Sequence, residues 1–312
     1  MRTVTISAAL PPLSVIALGT ALFGSQIPTE TAEELLDSYI ASGGNLIDTA
    51  HCYAAWLPDG EVASERCIGD WLMARELRES VVISTKGGHP PMQAMERPRL
   101  RAGQLAADLD DSLERLGVEY IDLYWLHRDD PSIPVGEILD ALESHRKAGR
   151  IRAYGASNWS ITRLDDAAVW AKKRSYMGFC ADQPGWALAE HRSDVATIPG
   201  CINGDEMLRL WHRRMNFPTI AYSSQANGFF SKKPEQLPAF DTPTNRDRAM
   251  RARDLAKELE TTPNAIAIAW LTSQTFPGIA IIGPKRVEQL TDSLLAADLE
   301  LTSEQVEWLT HG

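Results

Sequence analysis

The sequence lacks any apolar stretch that approaches the roughly 20 residues needed to cross a bilayer. Its first residues reach Pro11-Pro12 before an apolar signal segment could form. Basic residues are also in the minority, since 31 Lys and Arg face 42 Asp and Glu, and the net charge is −11. A negative surface repels nucleic-acid phosphates and anionic lipids, so we expect neither nucleic acid nor a membrane as a partner. We expect a soluble, cytoplasmic protein of unknown oligomeric state.

Cysteine is scarce, and the spacing of the cysteines shows no paired motif. The four cysteines, at positions 52, 67, 180 and 201, form no C-x-x-C motif. Free thiols in a reducing compartment are therefore expected. No linker, low-complexity segment or charge block divides the 312 residues, so the simplest assignment is a single domain over residues 1–312.

Eight short, mostly apolar runs alternate with longer amphipathic stretches along the whole chain. Near-continuous apolar runs of this length are typical of strands buried on both faces. The runs are residues 15–18, 45–48, 81–85, 120–126, 151–154, 179–181, 219–222 and 279–282.

Helix signals lie between these runs. Thr31 to Glu34 has the pattern of a capping box that opens the first helix. Leucines at positions 105, 109, 113 and 116 form one apolar stripe that stops at Gly117. Thr262-Pro263 predicts an N-cap followed by Pro in the first helical turn.

Eight strand–helix units in about 300 residues match a (β/α)₈ TIM barrel in the α/β class. A doubly wound open sheet is the alternative. Such a sheet would normally carry a G-x-G-x-x-G turn after its first strand, and the sequence has none. We therefore predict the barrel.

In such a barrel, chemistry is expected on the loops at the carboxyl ends of the strands. Polar side chains follow the predicted strands at these points: Asp48 with Tyr53, Lys86, His127, Ser157 with Asn158, Gln183, Tyr222, and Lys285 with Arg286. The charged residues after His127, at positions 128–130, read as a loop surface, and we assign them no chemistry.

Asp48, Tyr53, Lys86 and His127 together form a set suited to proton transfer. A phenol with a pKa near 10 is a weak acid at neutral pH, and a nearby lysine cation is expected to lower that pKa. The carboxylate would hold the lysine, and the histidine would donate to a substrate carbonyl oxygen. Since no side chain can donate hydride, a reduced nicotinamide cofactor is implied.

These motifs resemble those of the aldo-keto reductase superfamily. The resemblance rests on five segments in the family's order: Asn45 to Tyr53, Ile83 to Lys86, Ile121 to His127, Tyr154 to Asn158, and Gln183. It implies reduction of a small-molecule carbonyl by NADPH without metal or flavin. Tyr53 would be the general acid, Lys86 and Asp48 its tuners, and His127 the orienting donor.

The resemblance also implies how the cofactor is held. Ser157, Asn158 and Gln183 would hold the nicotinamide carboxamide, and Tyr222 would stack on the ring. The remaining expected cofactor contacts are Thr20, Ser223, Gly283, Lys285, Arg286 and Gln289. Lys285 and Arg286 would meet the 2′-phosphate of NADPH (NADP⁺). Departures from the family pattern at Ser223 to Gln225 and at Asp292-Ser293 leave NADH possible.

The sequence does not identify the carbonyl substrate or the physiological direction. Candidate substrate loops are residues 54–63 with Trp56, Trp159, and residues 184–218 with Trp186. Two other readings stay open. One is an NADPH-binding regulatory subunit similar to the potassium-channel β subunits, and the other is a lyase that forms a Schiff base on Lys86.

Overall fold

The computed structural model describes residues 1–57 and 62–312. An antiparallel hairpin of β1 (Thr3–Val4) and β2 (Leu13–Ser14) comes first. Eight parallel strands then form a closed barrel in which each pairs with the next and the last pairs with the first. These strands are β3 (Ile16–Gly19), β4 (Leu46–Asp48), β5 (Val82–Gly87), β6 (Ile121–Leu126), β7 (Ile151–Ser157), β8 (Asp182–Gln183), β9 (Thr219–Ala221) and β10 (Gly278–Ile282). The predicted (β/α)₈ barrel is confirmed.

At least one helix follows every barrel strand, with two after β9 and two after β10. The helices of the described residues are α1 (Thr29–Ala41), α2 (Ala63–Arg75), α3 (Ala102–Leu116), α4 (Val135–Lys147), α5 (Ile161–Arg174), α6 (Glu206–Met215), α7 (Pro243–Glu258), α8 (Pro263–Thr272), α9 (Val287–Leu294) and α10 (Ser303–His311). Short 3₁₀ helices span Arg78–Ser80, Ala226–Ser231 and Pro234–Gln236. Within this part of the chain, no helix is both long and apolar enough to cross a bilayer.

Two of the three predicted helix signals are confirmed. The leucine stripe of α3 packs into the core, and the helix ends at Gly117, whose φ of 62° is left-handed and suits glycine. At the start of α8, the hydroxyl of Thr262 accepts the N–H of Ala265 at 3.1 Å, as an N-cap does.

The capping box predicted at Thr31 to Glu34 is wrong. Helix α1 begins at Thr29, so Thr31 lies inside its first turn. The carbonyl of Pro28 already accepts the N–H of Ala32 at 2.9 Å, which starts the helix before Thr31. The proline, and not a hydroxyl, sets the boundary.

The sixth barrel strand lies later than the predicted run at residues 179–181. Strand β8 is the polar pair Asp182–Gln183. Cys180 and Ala181 still bond the neighbouring strand β7, since the N–H of Cys180 donates to Tyr154 and the carbonyl of Ala181 accepts from Ala156. An apolar pattern cannot mark a strand whose assigned residues are both polar.

Alternate side chains of the barrel strands point inward, so residues two apart share the interior. In β6 these are Leu123 and Trp125, which lie in one buried cluster with Leu46 and Ile220. Leu10 and Leu13 of the hairpin region join that cluster. The assignment of residues 1–312 to one domain stays a prediction.

Candidate active site

Lys86 is the centre of a buried hydrogen-bond network at the carboxyl end of the barrel. Its Nζ lies 2.6 Å from Oδ2 of Asp48, 2.6 Å from the carbonyl oxygen of Thr49 and 3.0 Å from the phenol oxygen of Tyr53. An ammonium group has three N–H donors, and all three are used here. The lysine is therefore fixed as a cation against Asp48 and Tyr53.

Asp48 is held in turn by the predicted residue Gln183 and by Ser84, which sequence reasoning missed. Its Oδ1 accepts from Oγ of Ser84 at 2.9 Å and from Nε2 of Gln183 at 3.1 Å. The indole of Trp125 donates to Oγ of Ser84 at 2.7 Å and forms the floor beneath the network. The inward alternation of β5 and β6, two residues before Lys86 and His127, could have indicated Ser84 and Trp125.

Trp125 fits under the site because its neighbour in β7 is glycine. A Cβ at Gly155 would come within 2.3 Å of the Trp125 ring. Any larger residue there would displace the indole and, through Ser84, the carboxylate of Asp48.

The net pKa shift of Tyr53 is opposite to the one expected from the sequence. Burial raises the pKa of Tyr53 above its ordinary value, and the cation of Lys86 only partly offsets this. The phenol therefore keeps its proton near neutral pH. Burial opposes the charge of Lys86, but Asp48 and Tyr53 outweigh it and raise the pKa of the lysine.

His127 is a neutral imidazole beside this network. Burial, followed by the guanidinium of Arg128, holds the pKa of His127 well below its usual range. Sγ of Cys52 lies 3.5 Å from its Nδ1. Burial raises the pKa of the Cys52 thiol to about 12, so the thiol keeps its proton.

The expectation that residues 128–130 form a loop surface is wrong. Arg128 is only 8% exposed, and its guanidinium donates to the carbonyl of His127 at 2.8 Å. Asp129 pairs with Arg163 of α5 at 2.9 Å, and Asp130 is buried. Charge alone suggested a solvated loop, whereas the contact of Arg128 with the His127 carbonyl and the ion pair of Asp129 with Arg163 hold these side chains against the protein.

A second polar group lies at the ends of β7, β8 and β9. Nδ2 of Asn158 donates to Oγ of Ser157 and to the carbonyl of His127, at 2.9 and 3.2 Å. The hydroxyl of Tyr222 donates to Oδ1 of Asn158 at 2.8 Å. Gln183 contacts Asp48, as above, so both polar groups share one mouth.

The outer predicted cofactor residues are not in contact with this centre, except Thr20. The Thr20 hydroxyl is buried and donates to the carbonyl of Asp48 at 3.0 Å. Lys285 and Arg286 are exposed where β10 leads into α9, and Oε1 of Gln289 accepts the N–H of Lys285 at 2.8 Å. Gly283 and Ser223 are exposed as well.

The loop that carries Tyr53 is supported from behind by a buried carboxylate. Glu65 of α2 accepts from Thr85 at 2.7 Å and from Arg115 at 3.3 Å. Arg115 also donates to the carbonyl of His51 at 3.2 Å. This network fixes the chain two residues before Tyr53.

Among the three tryptophans predicted in the substrate loops, Trp56 is the one that contacts the hydrogen-bond network, through Tyr53. It is 43% exposed, and its ring meets that of Tyr53 edge-on at 6.1 Å. Trp159 and Trp186 are buried, packed against Phe179 and Phe276 respectively. Residues 58–61 of the predicted loop 54–63 lie outside the described residues.

Comparison with known proteins identifies the family. The sequence profile described as the Aldo/keto reductase family matches residues 15–311. This chain belongs to the aldo/keto reductase family. It is an NAD(P)H-dependent oxidoreductase, and enzymes of this family act on small-molecule carbonyl compounds.

Two relatives and one solved structure show the extent of the similarity. An uncharacterized oxidoreductase of Bacillus subtilis (strain 168), YrpG, is 29% identical over 95% of this chain and 91% of its own. Norsolorinic acid reductase of Emericella nidulans is 27% identical over 94% of this chain and 76% of its own. The thermostable aldo-keto reductase Tm1743, solved with the inhibitor epalrestat, shares the fold at a TM-score of 0.75 and 24% identity, with 99% of both chains covered.

Proposed function

We propose that this aldo/keto reductase reduces an aldehyde or ketone to an alcohol, with NADPH as hydride donor and Tyr53 as proton donor. The observation that carries the proposal is the hydrogen-bond set of Lys86. All three of its N–H groups donate hydrogen bonds, and one of them donates to the phenol oxygen of Tyr53.

This arrangement directs the phenol proton away from the lysine. A fully engaged ammonium has no lone pair to accept from Tyr53, so the phenol O–H is free to donate to a substrate. When that proton leaves, the cation 3.0 Å away stabilises the phenolate. Asp48 keeps the lysine charged and in place, which also disfavours a Schiff base, since that reaction needs a neutral amine.

His127 would orient the carbonyl group. In the tautomer in which Nδ1 accepts from the Cys52 thiol, Nε2–H would donate to the carbonyl oxygen from beside the phenol. The rings of Tyr53 and His127 lie 5.9 Å apart, which places both groups at one small site. Two donors on one oxygen polarise the carbonyl for reduction.

The residues at the ends of β7 to β9 fit a nicotinamide carboxamide. Oε1 of Gln183 is buried and has no hydrogen-bond partner among the described residues, so it can accept an N–H of the carboxamide. Ser157 and Asn158 would complete that contact, and the ring of Tyr222 would pack on the nicotinamide. When bound, the reduced nicotinamide supplies the hydride.

The adenosine end of the cofactor would lie at the start of α9. Lys285 and Arg286 would pair with the 2′-phosphate of NADPH, because both are exposed cations and Arg286 is 66% exposed. Thr20, Ser223, Gly283 and Gln289 would line the route between the two ends of the cofactor. This assignment favours NADPH over NADH.

A carbonyl screen tests the proposal against a purely regulatory role. Purified protein is mixed with NADPH and a panel of aliphatic and aromatic aldehydes and ketones, and the loss of nicotinamide absorbance is followed. We expect turnover with at least one carbonyl class and formation of the matching alcohol. Tight NADPH binding with negligible turnover across the panel would contradict the proposal and favour a regulatory subunit.

A further inference from the structure

A thiol and two imidazoles converge beside the orienting histidine. Cys52, His89 and His127 come from the loops after β4, β5 and β6, and their ligand atoms all lie within 4.8 Å of one another. The two histidine rings are 4.7 Å apart, edge to face. Cys52 and His127 are buried, and His89 is half-buried.

The distances between these ligand atoms suit a metal ion with tetrahedral coordination by sulfur and nitrogen. With Zn–S and Zn–N bonds of usual length, tetrahedral angles place a sulfur and a nitrogen ligand about 3.6 Å apart. Sγ of Cys52 and Nδ1 of His127 are 3.5 Å apart. A small side-chain movement of His89 would bring its nitrogen within the same range.

His89 has the hydrogen bond typical of a metal ligand. Its Nδ1 lies 2.6 Å from the carbonyl oxygen of Pro90, which can only accept, so the ring proton is on Nδ1. The lone pair of Nε2 is then available for a metal. Histidines that bind metals commonly donate their other N–H to a backbone carbonyl in this way.

We propose that Cys52, His89 and His127 bind one thiophilic divalent ion of the Zn²⁺ class and that this ion inhibits the enzyme. On binding, the Cys52 thiol releases its proton to solvent, and sulfur and two nitrogens bond the metal with a fourth position left for water. The ion bonds Nδ1 of His127 and draws that ring toward Cys52 and His89, away from the position in which its Nε2–H meets a substrate carbonyl.

The surrounding charges set the strength expected of this site. Lys86 is paired with Asp48, but Arg128 forms no ion pair in the part of the chain that the structure describes. Its uncompensated cation opposes a second positive charge. We therefore expect reversible binding that is weaker than that of a structural zinc site with four protein ligands.

Cobalt provides a direct test that is independent of enzyme activity. Chelator-treated full-length protein is titrated with Co²⁺, which reports a thiolate ligand through a near-ultraviolet charge-transfer band. We expect one ion per chain, loss of the band in C52S and at least about tenfold weaker binding in C52S and H89N. C201S is the matched control and should bind like the unmodified protein, with thermal unfolding confirming that each variant folds.

Inhibition by Zn²⁺ is the second measurement, and it depends on the reductase activity proposed above. Each variant is compared with its own zinc-free rate, and the half-inhibiting Zn²⁺ concentration should rise about tenfold or more in H89N and C52S but not in C201S. A Co²⁺ spectrum that C52S leaves unchanged, or no binding at all, would overturn the site. Binding without inhibition would overturn the inhibitory role.

Discussion

Lys86 is the residue on which the proposed chemistry depends most, because it links a carboxylate to a phenol. Its contacts with Asp48 and Tyr53 are both direct. Burial still leaves the pKa of Tyr53 above its ordinary value. The lysine therefore matters by stabilising the phenolate as the proton leaves and does not ionise the resting phenol.

Replacement of Lys86 by methionine should disable proton transfer while leaving the cofactor site intact. We expect turnover in K86M to fall roughly 10²–10⁴-fold, as for loss of general acid catalysis, with NADPH binding retained. Because Lys86 and Tyr53 act as one unit, the double variant Y53F/K86M should be scarcely slower than either single variant. Steady-state rates and fluorescence titration with NADPH measure both quantities.

The control for K86M is a lysine far from the site. Lys257 is 79% exposed, so K257M should keep full activity. If the loss of turnover in Y53F/K86M equalled the combined losses of the two single variants, Lys86 and Tyr53 would contribute separately. That result would contradict the proposed mechanism.

Single residues also show what sequence could and could not supply. Asp48, Tyr53, Lys86 and His127 were predicted together, because each follows a strand and the barrel brings strand ends to one mouth. The supports Ser84 and Trp125, and the contact between Cys52 and His127, were missed. These contacts depend on which side chains face each other across the barrel, and sequence separation does not reveal that.

At the scale of elements, strands with apolar interiors were predicted well and polar ones were not. Strands β5 and β6 match their runs to within a few residues, whereas β8 is two polar residues after its predicted run. Helix ends were predicted where local chemistry decides them, as at Thr262 and Gly117. The start of α1 was wrong because a carbonyl contact from Pro28 precedes the hydroxyl pattern.

The junction of β10 and α9 should decide the choice of cofactor. Replacing both Lys285 and Arg286 with alanine removes two cations proposed to face the 2′-phosphate. We expect the NADPH dissociation constant to rise about tenfold or more, about 1.4 kcal/mol per decade, while that of NADH barely changes. Isothermal titration with each cofactor measures this, and R253A/K257A, which removes two exposed cations of α7, is the charge-matched control. Equal affinity of the unmodified protein for NADPH and NADH would contradict the assignment.

At the scale of the whole molecule, a buried ion pair ties the barrel to its helical layer. Nε2 of His212 on α6 lies 3.0 Å from Oδ1 of Asp182 on β8, and both side chains are buried. Burial opposes the imidazolium, but Asp182 and the carbonyl of Phe217 outweigh it and raise the pKa of His212. Asp182 adjoins Gln183, so this pair anchors one side of the proposed cofactor site.

This raised pKa predicts the direction of a pH effect on stability. The pair's contribution to the free energy of unfolding is complete below the pKa of an unfolded histidine, which is about 6.5. That contribution is lost as pH rises through the higher pKa of His212 in the folded protein. As pH rises above about 6.5 and through the folded pKa of His212, the unmodified protein should therefore lose thermal stability relative to H212Q. Tm measured across this range for both proteins, with exposed His311 replaced as a control, checks it. A difference in Tm that stays constant with pH would contradict the ion pair.

The barrel itself was the most predictable feature, since the size and alternation of strand–helix units restrict the choice of fold. The match of the family profile to residues 15–311 agrees with that reading. The substrate is the least predictable feature, because it depends on loops such as residues 184–218, whose side chains face one another only in the folded chain.

The turnover of Y53F is the measurement that tests the central claim most directly. This change keeps the ring and removes only the acidic hydroxyl, so NADPH should bind as before. We expect carbonyl reduction to fall roughly 10²–10⁴-fold at saturating NADPH and substrate. If Y53F instead retained most of its turnover with NADPH bound normally, Tyr53 would be only a packed aromatic, and the proton would have to come from His127 or water.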